Sequence, residues 1–170
     1  MYKFVLCGLM VCFLSFSCAS TTPTQTVSEP VTFVEVVDVN GMMRDGIYVR
    51  ANMWFVDAFR QANSVIQFSD RESGVIMGKY IFEIGGMPKN HYRISSTITV
   101  EARDERYRIS FTDPSSSLLW STMAGRNADS RERPIVDKEL ADEIMIRWQR
   151  LANSAKQSIT SSNTNTNSDW

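Results

Sequence analysis

Strict alternation of apolar and polar side chains over residues 91–112 limits what this chain can fold into more than any other feature. In HYRISSTITVEAR, Tyr92, Ile94, Ile98, Val100 and Ala102 share one face, and Arg93, Ser95, Thr97, Thr99, Glu101 and Arg103 share the other. After Asp104 and Glu105, the residues Tyr107, Ile109 and Phe111 alternate with Arg106, Arg108, Ser110 and Thr112. A period of two belongs to antiparallel strands with one buried and one wet face. Upstream, SVIQFSD and VIMGKYIFEI are separated by a polar turn at residues 71–74, and a Gly-Gly-Met-Pro break follows. Residues 64–112 therefore read as four antiparallel strands. Gly74 is expected to supply a turn angle that other residues resist. Gly78, inside a strand, predicts a bulge or a close backbone approach. Asp104-Glu105 reads as a two-residue hairpin turn in which Glu105 sits poorly. That register faces Glu101 with Arg108, a favourable pair, and Arg103 with Arg106, an unfavourable one.

The flanks carry a different period. Residues 31–39 (VTFVEVVDV) are rich in β-branched side chains and predict a first strand. Ile47, Ala51, Trp54, Phe55, Ala58, Phe59 and Ala62 then recur at three- and four-residue steps, which predicts an amphipathic helix over residues 44–62 with Asp45 as its N-cap. Trp54 is its expected anchor on the sheet. Residues 114–133 read as irregular, with Leu118, Leu119, Trp120 and Met123 as an apolar island: either a loop or short strand at the core edge, or an exposed contact patch. Pro134 or Asp137 opens a second helix, whose stripe is Leu140, Ile144, Trp148, Leu151, Ala155 and Ile159 and which is expected to end near residue 157. Residues 158–170 are polar and of low complexity and predict a disordered tail. The expected domain, residues 31–157, is α+β: an antiparallel sheet of about five strands with two helices on one face, in the order β-α-β-β-β-β-α.

The N-terminus reads as an address. Residues 1–17 combine Lys3 with an uninterrupted apolar run, the pattern of a secretory signal peptide too short to anchor a membrane span. Leu14 to Cys18 (LSFSC) resembles a bacterial lipobox, which implies acylation of Cys18; ordinary signal cleavage near residues 18–20 is the competing reading. Residues 18–30, rich in Ser, Thr and Pro, suit a flexible tether between membrane and domain. Some lipoproteins carry acidic residues just after the cysteine as a surface-export signal. Ala19, Ser20, Thr21 and Thr22 contain none, so the expected position is the outer membrane, facing the periplasm.

Chemistry-bearing residues are scarce. All three cysteines lie within the first eighteen residues. His91 is the single histidine, at a strand start, and is expected to be a surface or edge residue rather than a ligand or a catalytic base. There is no phosphate-binding glycine loop and no Gly-x-Ser-x-Gly elbow. Asp70, Glu72, Asp104 and Asp113 fall at strand ends, where turn chemistry accounts for them. No enzyme activity, cofactor or metal is implied.

Trp54-Phe55 on the first helix, VIQFSD at residues 65–70, the Ser73-Gly74 hairpin running into VIMG, and DERYR at residues 104–108 together resemble a family of uncharacterised bacterial envelope proteins. That family is a domain of unknown function assigned a TATA-box-binding-protein-like fold, and the resemblance spans residues 34–112. It implies a fold and no established activity. The family usually has glycine where this chain has Glu105. The fold name invites a DNA-binding reading, but a net charge of −1 and a wet face of Ser, Thr, Glu and a few Arg lack the positive field a duplex requires, and export removes the protein from the genome.

What remains is the sheet's wet face. Arg93, Thr97, Thr99, Glu101, Arg106 and Arg108 are its candidate binding residues, for an envelope protein or polymer, with the membrane engaged through the lipid on Cys18. The alternative is a small-ligand or hydrolytic site near the loop between Gly85 and His91.

Overall fold

A computed structural model describes residues 29–59, 65–85, 90–120 and 131–161. The signal peptide, Cys18, nearly all of the tether, Met123 and residues 162–170 lie outside the described residues. The chain runs β1 (Phe33–Asp38), α1 (Arg44–Ala58), β2 (Ile66–Asp70), β3 (Val75–Gly85), β4 (His91–Arg103), β5 (Arg106–Trp120), β6 (Arg133–Pro134) and α2 (Lys138–Thr160). The strands form one antiparallel sheet in the order β1-β5-β4-β3-β2, and the two-residue β6 also pairs with β5. The sheet thus has the five main strands expected, with the two-residue β6 as a sixth, and the expected element order is present.

Both helices cover the same face of the sheet. Ile76, Ile94, Ile98, Val100, Tyr107, Ile109 and Phe111 point into the core, against Ile47, Trp54 and Phe55 of α1 and Ile144, Trp148 and Ile159 of α2. Trp54 is buried and donates its indole N–H to Ser154 Oγ of α2 at 3.3 Å, so the polar end of its ring is satisfied where the two helices meet. Trp148 stacks on Phe111 with centroids 5.4 Å apart. At the far end, Arg50 of α1 donates to the carbonyls of Ile159 (3.1 Å) and Ser161 (2.6 Å), which fastens the end of α2 to α1.

Local expectations divide. Asp137 is the N-cap of α2 and accepts from the Leu140 amide at 2.9 Å. Asp45 is not the N-cap of α1. The N-cap position is Met43, whose side chain makes no capping bond, and the Arg44 amide is taken by Asp104 from the β4–β5 turn. The described part of α1 ends at Ala58 with Phe59 as C-cap, earlier than residue 62. Gly74 has φ +74°, and a Cβ there would lie 2.6 Å from the Ala102 carbonyl. At Gly78 the close approach is to Val65, whose carbonyl oxygen would lie 2.8 Å from an added Cβ, beside a register shift in β2.

Two boundaries move outward. Residues 114–120 are not irregular: β5 continues through Pro114 to Trp120, so Leu118 and Leu119 belong to a strand and are half-buried. The length of β4 decides this, because its residues Tyr92 to Ser95 need partners and find them in Leu118, Ser117, Ser116 and Ser115. Asp113, at φ +52°, marks where β5 carries an extra residue relative to β4. Before the kink β5 pairs with β1, and after it with β6. α2 likewise runs to Thr160 rather than 157, because Ile159, one turn after Ala155, is fully buried.

Candidate functional site

The face opposite the helices is built by parity. In β5, Tyr107, Ile109 and Phe111 turn inward, which leaves Arg106, Arg108 and Ser110 outward; their cross-strand partners in β4 are Arg103, Glu101 and Thr99. One row across the sheet therefore reads Val36, Arg108, Glu101, Val75, and the next reads Val34, Ser110, Thr99, Met77, Phe68. Val34, Val36, Phe68, Met77 and Ile81 are all exposed on this face. Such a concentration of large apolar groups is what a contact surface requires.

The charges are partly paired off. Arg108 reaches both oxygens of Glu101, at 2.6 and 2.7 Å. Arg93 pairs with Glu83 at 3.2 Å, and the same carboxylate meets His91 Nε2 at 3.1 Å, which places the single histidine in a half-exposed strand-end pair. Arg103 and Arg106 face each other across the turn, and among the described residues neither has a carboxylate partner.

Of the six candidate residues, Thr97, Thr99, Glu101, Arg106 and Arg108 lie together. Arg93 stands apart: eight residues before Glu101 on one strand, it is about 26 Å away. Between them Glu132 crosses the face, bonded to Ser115 Oγ at 3.1 Å and paired with Lys79 at 3.5 Å, and Ser95 is buried beneath it. The sequence reading missed the apolar members. β1 is apolar on both faces, so alternation could not sort Val34 and Val36 from Val37; the parity of their partners in β5 does.

Two hollows lie near the predicted regions. One, of about 240 Å³, sits at the β4–β5 end of the open face among Val36, Glu101, Arg103, Arg106 and Arg108. The other, of about 220 Å³, lies where Gly85 and Asn90 meet the start of α2, lined by Tyr92, Asp137, Glu139 and Glu143 among others. Asn90 donates to the Tyr92 hydroxyl there at 3.1 Å. Among the described residues no group of His, Cys, Asp or Glu is placed to hold a metal ion, and no helix is long and apolar enough to cross a membrane.

Comparison with known proteins agrees with this architecture. A TBP-like protein from Parabacteroides distasonis superposes with a TM-score of 0.56 at 12% identity, covering 76% of this chain and 94% of that one. A DUF4468 family protein from Bacteroides ovatus superposes with a TM-score of 0.60 at 13% identity, covering 81% and 91%. At these identities the likeness speaks for the fold alone. No curated protein matches the chain. Residues 33–116 match the family model of a domain of unknown function, DUF4468, with a TBP-like fold.

Proposed function

We propose that this is an exported lipoprotein, acylated at Cys18, whose open sheet face docks a protein or polymer of the cell envelope without catalysing a reaction. The observation that carries the docking reading is the set of Val34, Val36, Phe68, Met77 and Ile81 exposed on one face beside Arg106 and Arg108. The N-terminal sequence supports the anchor: a leader followed by a lipobox-like LSFSC and a Ser/Thr/Pro tether. Near-neutral charge argues against a nucleic acid partner.

Crosslinking in intact cells tests the face. Arg106→Glu and Arg108→Glu, combined with Glu101→Arg to keep the cross-strand pair, should abolish capture of the partner without lowering the melting temperature. Capture that survives these changes removes the reading. Mass spectrometry of the mature chain tests the anchor: a first residue beyond Cys18, without an acyl group, removes it.

The hollow at the start of α2 favours a second reading, in which that site takes a small ligand. Carboxylates of Asp137, Glu139 and Glu143 around it would select a cationic organic group. Titration with small amines, compared between wild type and Glu143→Gln, tests this; identical behaviour of the two removes it.

A further inference from the structure

We propose that Arg103 and Arg106 form a site for a small oxyanion, a phosphate or carboxylate group, at the β4–β5 corner of the open face. The two residues are cross-strand partners flanking the two-residue turn. Like charges in that position repel, and the ordinary remedy is a nearby acid. Among the described residues no nearby acid forms an ion pair with either arginine. Asp104 accepts from the Arg44 amide at 2.8 Å, and Glu105 Oε1 from the Gly41 amide at 3.2 Å, so both turn carboxylates face the start of α1. Glu101 is held by Arg108 through both oxygens. Asp38 is the partner of Arg106 on β1 but forms no ion pair with it.

The result is two exposed guanidinium groups, neither of them in an ion pair, beside a hollow of about 240 Å³ that the paired Glu101 and Arg108 also line. A guanidinium presents paired donors that match the oxygens of a phosphate or carboxylate, and two of them converging on one hollow make a clamp. The hollow is smaller than a typical pocket for a drug-sized ligand, so it suits the anionic head and its first few carbons. Val36, exposed on the hollow's wall, provides an apolar flank for those carbons. This deepens the docking reading, on which its biological role rests, by naming the chemistry recognised at this corner; binding of a free anion needs no macromolecular partner.

Calorimetric titration of inorganic phosphate, and separately of succinate, into the full chain at low ionic strength tests the site. Saturable one-site binding of either is expected, weakened at least about tenfold by Arg103→Gln with Arg106→Gln, as two charge-assisted contacts require. Arg93→Gln should leave it unchanged, because that side chain belongs to Glu83. Binding of phosphate alone assigns a phosphoryl group, and of succinate alone a carboxylate. In anion-free buffer the double variant should melt above wild type, and the bound anion should raise the melting temperature of wild type only. No saturable binding of either anion, or equal binding by the double variant, overturns the proposal. Partner capture that is insensitive to the double variant separates the two readings: it keeps the docking face and removes the anion site from it.

Discussion

Asp104 Oδ1 accepts a hydrogen bond of 2.8 Å from the amide of Arg44, sixty positions earlier in the chain. A helix start leaves its first amides without partners, and here a hairpin turn supplies the acceptor that Met43 lacks. The same turn is tied down twice more: the Val39 amide donates to the Glu105 carbonyl at 2.7 Å, and the Glu105 amide to the Met42 carbonyl at 2.8 Å. Replacing Asp104 with Ala should cost about 1 kcal/mol, the usual value of a lost cap. Urea unfolding of Asp104→Ala and Asp45→Ala would show it, with the Asp104 variant the less stable of the two.

Glu105 holds φ +62° without being glycine. Left-handed backbone costs an ordinary residue about 1–2 kcal/mol, while glycine in the unfolded chain loses part of that gain to entropy. Its two backbone bonds do not depend on the side chain, and the Gly41 contact that does is exposed and 3.2 Å long. Glu105→Gly should therefore raise stability by about 0.5–1 kcal/mol. Glycine is also what the family resemblance implies at this position.

Trp54 joins the two helices and the sheet. Trp54→Ala should cost about 3–5 kcal/mol, as large-to-small changes in packed cores do. Trp54→Phe removes the bond to Ser154 and only part of the volume, and should cost about 1–2 kcal/mol. A loss under about 1 kcal/mol for the alanine variant would contradict the packing described.

Acid should loosen the β2–β3 turn. The Ser73 side chain, then the Glu72 amide, hold the Asp70 carboxyl below its ordinary pKa despite some desolvation. A carboxylate whose folded pKa is depressed contributes stability above its unfolded pKa, about 3.9, and loses it as pH falls through the folded value. Between pH 5 and pH 2, at round values about that pKa, Asp70→Asn should therefore show a shallower fall in urea midpoint than wild type. Asp45, held down mainly by Arg71 and then by Arg44, should behave in the same way.

How legible the fold was depended on where each residue's partner lies. The β4–β5 hairpin was readable to the residue, including the Glu101–Arg108 pair and the opposed Arg103 and Arg106, because alternation and turn length are local. α2 was readable from its stripe and from Asp137, two residues after the buried Ile135. The cap of α1 was not, because Asp104 is distant in sequence and Asp45 offered a plausible local substitute. Nor was the second half of β5: Pro114 and three serines have no strand preference, and the partner strand imposes the conformation. α1 hid a further feature. Val49, Met53 and Val56 recur at helical spacing on the opposite side yet are exposed, so the helix carries a second apolar stripe that the sequence reading did not single out, although the expected stripe through Trp54 is the one that packs.

The kink at Asp113 bears on how the molecule avoids sticking to its own kind. An unpaired strand margin is a template on which another chain can polymerise, and the hazard grows with the length of the straight run. By bending midway, β5 recruits two short neighbours, six residues of β1 and two of β6, in place of one long one. The opposite margin is the five-residue β2, interrupted by its bulge, and beyond it the stretch of β3 from Lys79 to Gly85 that β2 does not cover. Straightening position 113 would join the two short pieces beside β5 into a single line.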